Sequence, residues 1–210
     1  MIAIIDYGVG NLFSLSSSLG RIGQKAVITG DSGLIREADR IILPGVGAFG
    51  DAAEKLRVKG LDRVVVREAL DGKPILGICL GMQLLLERSF EFGEHKGLGL
   101  IPGSVRSIRE VCGESLKLPQ IGWNRLIFPA GREKSTLYSN TPEGAFVYFV
   151  HSYHASGCDD YVSACTEYGG LLTASVENLR EGMRVFGAQY HPEKSGDVGL
   201  GILRAFCELT

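Results

Sequence analysis

Four short apolar runs punctuate the first eighty residues: Ile2 to Ile5, Ala26 to Thr29, Arg40 to Leu43 and Pro74 to Cys79. They do not alternate with polar residues, as expected for strands covered on both faces. Between them lie segments of helical pattern. Asn11 to Ile22 is one. A second, for which Asp51 is the expected cap, runs to about Val58, and Leu61 to Leu70 continues helical. A further helix is expected from Met82 through Glu87. This alternation predicts an α/β fold, a doubly wound and mostly parallel sheet flanked by helices. The second half reads differently. Val105–Ile108, Trp123–Phe128, Phe146–Val150, Val162–Glu167, Leu172–Val176 and Arg184–Tyr190 are closely spaced and strand-like, which predicts an antiparallel extension. Gly199 to Glu208 is expected to close the chain as a helix.

The chain has 210 residues, 45% of them apolar, and a formal charge of −2. That length suits a single domain over residues 1–210, and the balanced charge favours neither nucleic acid nor a membrane surface as partner. Met1 to Ile5 is too short to span a bilayer or to serve as a signal. The five cysteines show no C-x-x-C spacing, so reduced thiols and a cytoplasmic setting are expected. His151 and His154 have no neighbouring carboxylate or thiol to complete a ligand set, so no metal is expected. Gly8-Val9-Gly10 is not a dinucleotide fingerprint, because Phe13 stands where the last glycine belongs, and no cofactor is expected.

The candidate chemistry begins at Gly77-Ile78-Cys79-Leu80-Gly81, a cysteine between glycines at a junction of strand and helix. That is the pattern of a nucleophile elbow, in which small neighbours admit a sharp turn and the thiol sits at a helix start that favours thiolate. Taken alone, it is also compatible with a small buried side chain on a core strand. Far downstream, a predicted strand delivers His191-Pro192-Glu193. Imidazole exchanges protons near neutral pH, and a carboxylate fixes its tautomer and stabilises its cation. An isolated His-Pro-Glu is more often a solvated pair. Together with the elbow, it points to Cys79, His191 and Glu193 as a catalytic triad. Gly45-Val46-Gly47 follows another strand, where its N–H groups and that of Leu80 could form an oxyanion hole, or it could be a plain turn.

In these segments the chain resembles the class I (triad-type) glutamine amidotransferases, most of all the glutaminase subunits of imidazole glycerol phosphate synthase. The resemblance rests on Asp6-Tyr7-Gly8-Val9-Gly10-Asn11-Leu12, Leu43 to Gly50, Gly77 to Gln83, Pro119 to Asn124, Tyr148 to Tyr153 and His191 to Ser195. It implies that Cys79 attacks the side-chain amide of L-glutamine, with His191 as base and acid and Glu193 as its orienting group. It implies an oxyanion hole at Gly45, Val46 and Leu80, and contacts to glutamine from Gly47, Gln83, Ser152 and Tyr153. It also implies a heterodimer with a separate (βα)8-barrel cyclase that receives the ammonia, contacted near Asn11, Trp123 and Lys194. Two departures stand out. Gln120-Ile121 replaces the family's frequent His-Met, and Ala188-Gln189-Tyr190 its Phe-Gln-Phe. The first touches the implied interface. It keeps open a paralogue that feeds ammonia to another synthase, such as one amidating a surface sugar. A non-enzymatic binding protein on the same fold and a partner-free thiol hydrolase also stay open at this point.

Overall fold

The apolar runs pair side by side in the computed structural model, which describes residues 1–209. In chain order the elements are β1 (Ile2–Ile5), α1 (Leu12–Arg21), β2 (Ala26–Thr29), α2 (Ser32–Glu37), β3 (Arg40–Leu43), α3 (Phe49–Val58), α4 (Leu61–Leu70), β4 (Ile75–Ile78) and α5 (Leu80–Leu84). Then come β5 (Leu86–Ser89), β6 (His95–Lys96), β7 (Ile101–Ser107), α6 (Arg109–Cys112), β8 (Gln120–Arg125), β9 (Phe146–His151) and β10 (Tyr153–Ser156). The chain closes with β11 (Val162–Glu167), β12 (Leu171–Asn178), β13 (Val185–Ala188) and α7 (Gly196–Cys207).

A seven-stranded sheet in the order β11-β12-β13-β4-β3-β1-β2 forms the centre. Its strands from β2 to β13 are parallel, and β12 and β11 extend it antiparallel. Alternate residues of one strand serve opposite faces. Ile2 and Ile4 of β1 join Leu15, Leu19, Ile202, Leu203 and Phe206 of α1 and α7 on one side. Ala3 and Ile5 join Ile35, Leu56, Leu61 and Val65 of α2, α3 and α4 on the other. Each large aliphatic or aromatic side chain buried in this way contributes about 1.5–3 kcal/mol. The uninterrupted apolar composition of the central strands follows from having helices on both faces.

The remaining strands do not form one extension. β10-β7-β5-β6 is a separate mixed sheet, and β8 and β9 form an antiparallel ribbon. The helix expected through Glu87 stops at Leu84. Beyond it, the carbonyls of Leu84, Leu85, Leu86 and Glu87 accept from Leu98, Leu100, Gly99 and Gly97, long-range partners that replace helical ones. Ala48, rather than Asp51, precedes the first turn of α3, and the Phe49 N–H donates to Glu91 Oε2 at 2.6 Å. Strand boundaries also move. β8 begins at Gln120 and ends at Arg125, and Ile127 makes only an isolated bridge to Cys165. α2 and β10 add elements that the hydrophobic pattern did not announce.

Gly81 is where α5 meets the end of β3, since a Cβ there would lie 1.8 Å from the Leu43 carbonyl oxygen. Backbone cannot retreat as a flexible side chain would. Gly81→Ala is therefore expected to cost about 3 kcal/mol, roughly 6–12 °C in melting temperature. Gly201→Ala, in open space on α7, is expected to be neutral or slightly stabilising. Thermal unfolding of both variants checks the contrast.

Candidate active site

β4 and β13 are parallel neighbours, with Gly77 opposite Gly187 and Ile78 opposite Ala188. Cys79 and His191 both lie just past the carboxyl ends of these strands. The Cys79 N–H donates to the Ala188 carbonyl at 2.7 Å, so the elbow is tied to the strand that carries the histidine. Cys79 itself takes φ 54° and ψ −111°, a conformation that costs a non-glycine residue on the order of 1–3 kcal/mol. Gly77 makes the turn possible, because a Cβ there would meet Gly81 O and Met82 N at 2.7 Å.

His191 is held from several directions. Its N–H donates to the Tyr148 carbonyl at 2.9 Å, and its carbonyl accepts from Ser195 Oγ at 2.6 Å. Ser195 Oγ in turn accepts the Tyr148 N–H at 3.0 Å. Ring atom Nδ1 lies 2.8 Å from Glu193 Oε1, with both side chains about 95% buried. Nδ1 is thus the donor to the carboxylate, which leaves Nε2 for the sulfur. Burial alone would lower the His191 pKa. Hydrogen bonds to Cys79 and Glu193, with their charges, outweigh it and raise the value to about 9. The His191 ring is therefore held in its charged form at neutral pH. Cys79 is 7% exposed, and its sulfur also lies 3.9 Å from the Val150 carbonyl.

These groups open into a cavity of about 300 Å³ lined by Val46, Gly47, Leu80, Gln83, Ser152 and Tyr153, together with Cys79, His151, His191 and Glu91. Every expected glutamine contact therefore borders it. Gly45 does not. It is packed behind the elbow, where a Cβ would meet Tyr7 Oη at 2.7 Å and Gly81 N and Leu80 Cβ at 2.9 Å. Gly47 has φ +97° and open space around it. Gln83 is 5% exposed, and its amide donates to Tyr153 O and to Gln189 Oε1, both at 3.0 Å, so its own oxygen remains available.

The hydrophobic pattern gave no hint of Glu91 or His151. Glu91 reaches the cavity because the chain turns back after β5 rather than continuing as helix, and Ser89 Oγ accepts its N–H at 3.1 Å. His151 Nδ1 donates to Tyr153 O at 2.7 Å. Burial lowers the His151 pKa to about 4, and burial does the same to His154.

Trp123, 51% exposed, meets Tyr148 edge-on at 6.1 Å between ring centroids, and Lys194 Nζ lies 5.7 Å above the same Tyr148 ring. The two implied interface residues thus share one surface beside the His191 turn. Asn11 caps α1, its side chain accepting the Ser14 N–H at 3.4 Å. Among the described residues no group of three or more His, Cys, Asp or Glu is arranged to hold a metal ion, and no helix is long and apolar enough to cross a membrane.

Opposite pKa shifts within one site give stability two pH limits. The raised value of His191 contributes stability that is complete below about 6.5 and lost as pH rises through about 9. The lowered values of His151 and His154 contribute stability that is complete above about 6.5 and lost as pH falls toward about 4. Denaturant titrations across this range should show both losses. Ring-proton NMR should show the His191 titration moving down in Glu193→Gln, and a ring titrating near 6.5 in both forms would contradict the assignment.

A family model described as glutamine amidotransferase class-I matches residues 3–208. A protein of Wolinella succinogenes named imidazole glycerol phosphate synthase subunit HisH is 46% identical, with all of both chains covered. One of the same name from Bacillus velezensis is 48% identical over all of this chain and 97% of its own. Among solved structures, PurLQS from Thermotoga maritima has the same fold, with a TM-score of 0.72 at 22% identity over 98% of this chain and 96% of that one. The chain belongs to the class-I glutamine amidotransferase family, within the group of its HisH subunits.

Proposed function

We propose that this chain is the glutaminase subunit of an imidazole glycerol phosphate synthase, hydrolysing L-glutamine to glutamate and ammonia for histidine biosynthesis. The observation that carries the reading is that Cys79 and His191 line one cavity of small-molecule size, with Glu193 holding the far side of the His191 ring at 2.8 Å. The thiolate of Cys79 attacks the amide carbon of the substrate's side chain. N–H groups of Leu80, Val46 and Gly47, which border the cavity, receive the developing oxyanion. Imidazolium His191 protonates the departing ammonia and then, as neutral base, activates the water that cleaves the glutamyl thioester. Glu193 holds the ring through both steps. Gln83 Oε1, the backbone at Ser152 and Tyr153, and the Glu91 carboxylate face the amino-acid end of glutamine, where Glu91 suits its ammonium group.

The ammonia passes to a separate (βα)8-barrel cyclase bound near Asn11, Trp123 and Lys194. Support for a second subunit comes from the relatives, each named as one subunit of a synthase. The full span of residues 1–210 acts as one catalytic domain, in a cytoplasm that keeps its thiols reduced.

Cys79→Ala is expected to cut glutamine-dependent turnover by roughly 10⁴-fold or more while sparing synthesis from added ammonium by the complex. Assays with each nitrogen donor check this, and normal glutamine turnover in the variant would sink the nucleophile assignment. The isolated chain is expected to be a weak glutaminase that the cyclase and its ligand stimulate strongly, because ungated hydrolysis wastes glutamine. Steady-state assays with and without the barrel check it. Full activity alone would rule out the gating. Activation only by some other synthase would assign a different acceptor, a result that the exposed Ile121 beside Trp123 would then help to explain.

A further inference from the structure

Gln189 is completely buried and does not border the cavity, yet its side chain reaches the reactive sulfur. Its backbone N–H donates to Ala174 O at 2.9 Å, which fixes it on the sheet just before His191. Its Nε2 lies 3.7 Å from Cys79 Sγ as donor, within the longer reach that sulfur's radius allows. Its Oε1 accepts from Gln83 Nε2 at 3.0 Å, and the same Gln83 Nε2 donates to the Tyr153 carbonyl at 3.0 Å.

The direction of this chain is forced from its far end. A backbone carbonyl can only accept, so Tyr153 O requires Gln83 to present its NH₂ group. Both Gln83 N–H groups are then committed, and the second requires Gln189 to present its oxygen. Gln189 has no remaining choice but to point its own NH₂ toward the sulfur. Turning Gln189 over would set donor against donor, and turning Gln83 over would set acceptor against acceptor, in a buried site and at the cost of unpaired polar groups.

We propose that Gln189 is a further catalytic group of this site. Its N–H stabilises the Cys79 thiolate alongside the imidazole, and the Tyr153–Gln83–Gln189 chain fixes its orientation. The inference rests on the reading of Cys79 as nucleophile. It extends that reading by making the thiolate depend on an amide as well as on His191. When the thiol proton moves to the imidazole, the Val150 carbonyl loses its weak donor, and the Gln189 N–H is the donor that stays with the sulfur. A thiolate at a hydrogen bond's distance from an amide is more populated and less free to rotate away from the substrate.

The test is the pH dependence of Cys79 alkylation by iodoacetamide in the full-length chain, located by peptide mass mapping. Gln189→Met keeps the length without donors, and Gln189→Glu keeps the acceptor for Gln83 but turns a carboxylate toward the sulfur. The alkylation midpoint is expected to rise by about one unit in the first and more in the second, since a tenfold change corresponds to one unit. Alkylation at neutral pH should slow roughly tenfold in Gln189→Met. With the cyclase present, kcat for glutamine should fall while KM stays within about twofold, because Gln189 does not face the substrate. Folded variants whose midpoints coincide with the parent overturn the inference and leave the proposed function standing. A Cys79 that fails to react ahead of the other thiols brings down both. A measurement on the unaltered chain guards against variants that do not fold. The side-chain amide resonance of Gln189 should shift as Cys79 ionises and lose that response in Cys79→Ala, and an unresponsive amide overturns the proposal.

Discussion

The parallel pairing of β4 with β13 is the constraint on which this site depends. It sets two chain segments more than a hundred residues apart side by side and ends them at the same level. The bond from Cys79 N–H to Ala188 O then leaves the elbow no freedom to slide along its neighbour. A shift of one residue would turn each strand's side chains to the opposite face and carry the histidine away from the thiol. The helices on both faces matter to catalysis chiefly because they hold that register. Ile75 and Leu76 of β4, and Val185 and Phe186 of β13, divide between the two cores, so neither strand can move without opening one of them.

The site uses burial in two opposing ways. Around His151 and His154, removal from water wins, and the rings stay neutral well below their ordinary range. Around His191 it loses, because Cys79 and the Glu193 carboxylate both favour the charged form of the same ring. Three imidazoles in one neighbourhood thus differ in charge through their immediate partners. The neutral His151 fits a structural duty, securing the Tyr153 carbonyl that also receives Gln83.

Much of this was legible in the amino-acid sequence, for identifiable reasons. β1, β3 and β4 could be read because strands buried on both faces are unbroken apolar runs, and the partly exposed edge strand β2 carries the same apolar pattern. That Cys79 and His191-Pro192-Glu193 come to one end of the sheet could be anticipated because each directly follows an apolar strand run. Other features resisted. Leu84 to Leu86 satisfy a helix or a strand equally well by composition, and only distant N–H donors from Leu98 to Leu100 decide the outcome. Asp51 has the chemistry of a cap, but Glu91, far along the chain, supplies the acceptor for Phe49. Gly45 fits an oxyanion loop by sequence, yet its Cα lies packed against Tyr7, Leu80 and Gly81. Those outcomes depend on three-dimensional neighbours that no local pattern encodes.

The narrow setting of Cys79 has a consequence for redox chemistry. In disulfide exchange the thiolate attacks one sulfur of an incoming disulfide in line with its S–S bond and displaces the other as thiolate, so the whole disulfide must align with the Cys79 sulfur. Cys79 is only 7% exposed, at the base of a cavity of about 300 Å³ between Val46, Tyr153 and His191. A compact planar amide can reach it, whereas a peptide-sized oxidant such as glutathione disulfide meets the walls first. The same enclosure shields the thiol from oxidative capping by bulky reagents, so its access is limited by size selection.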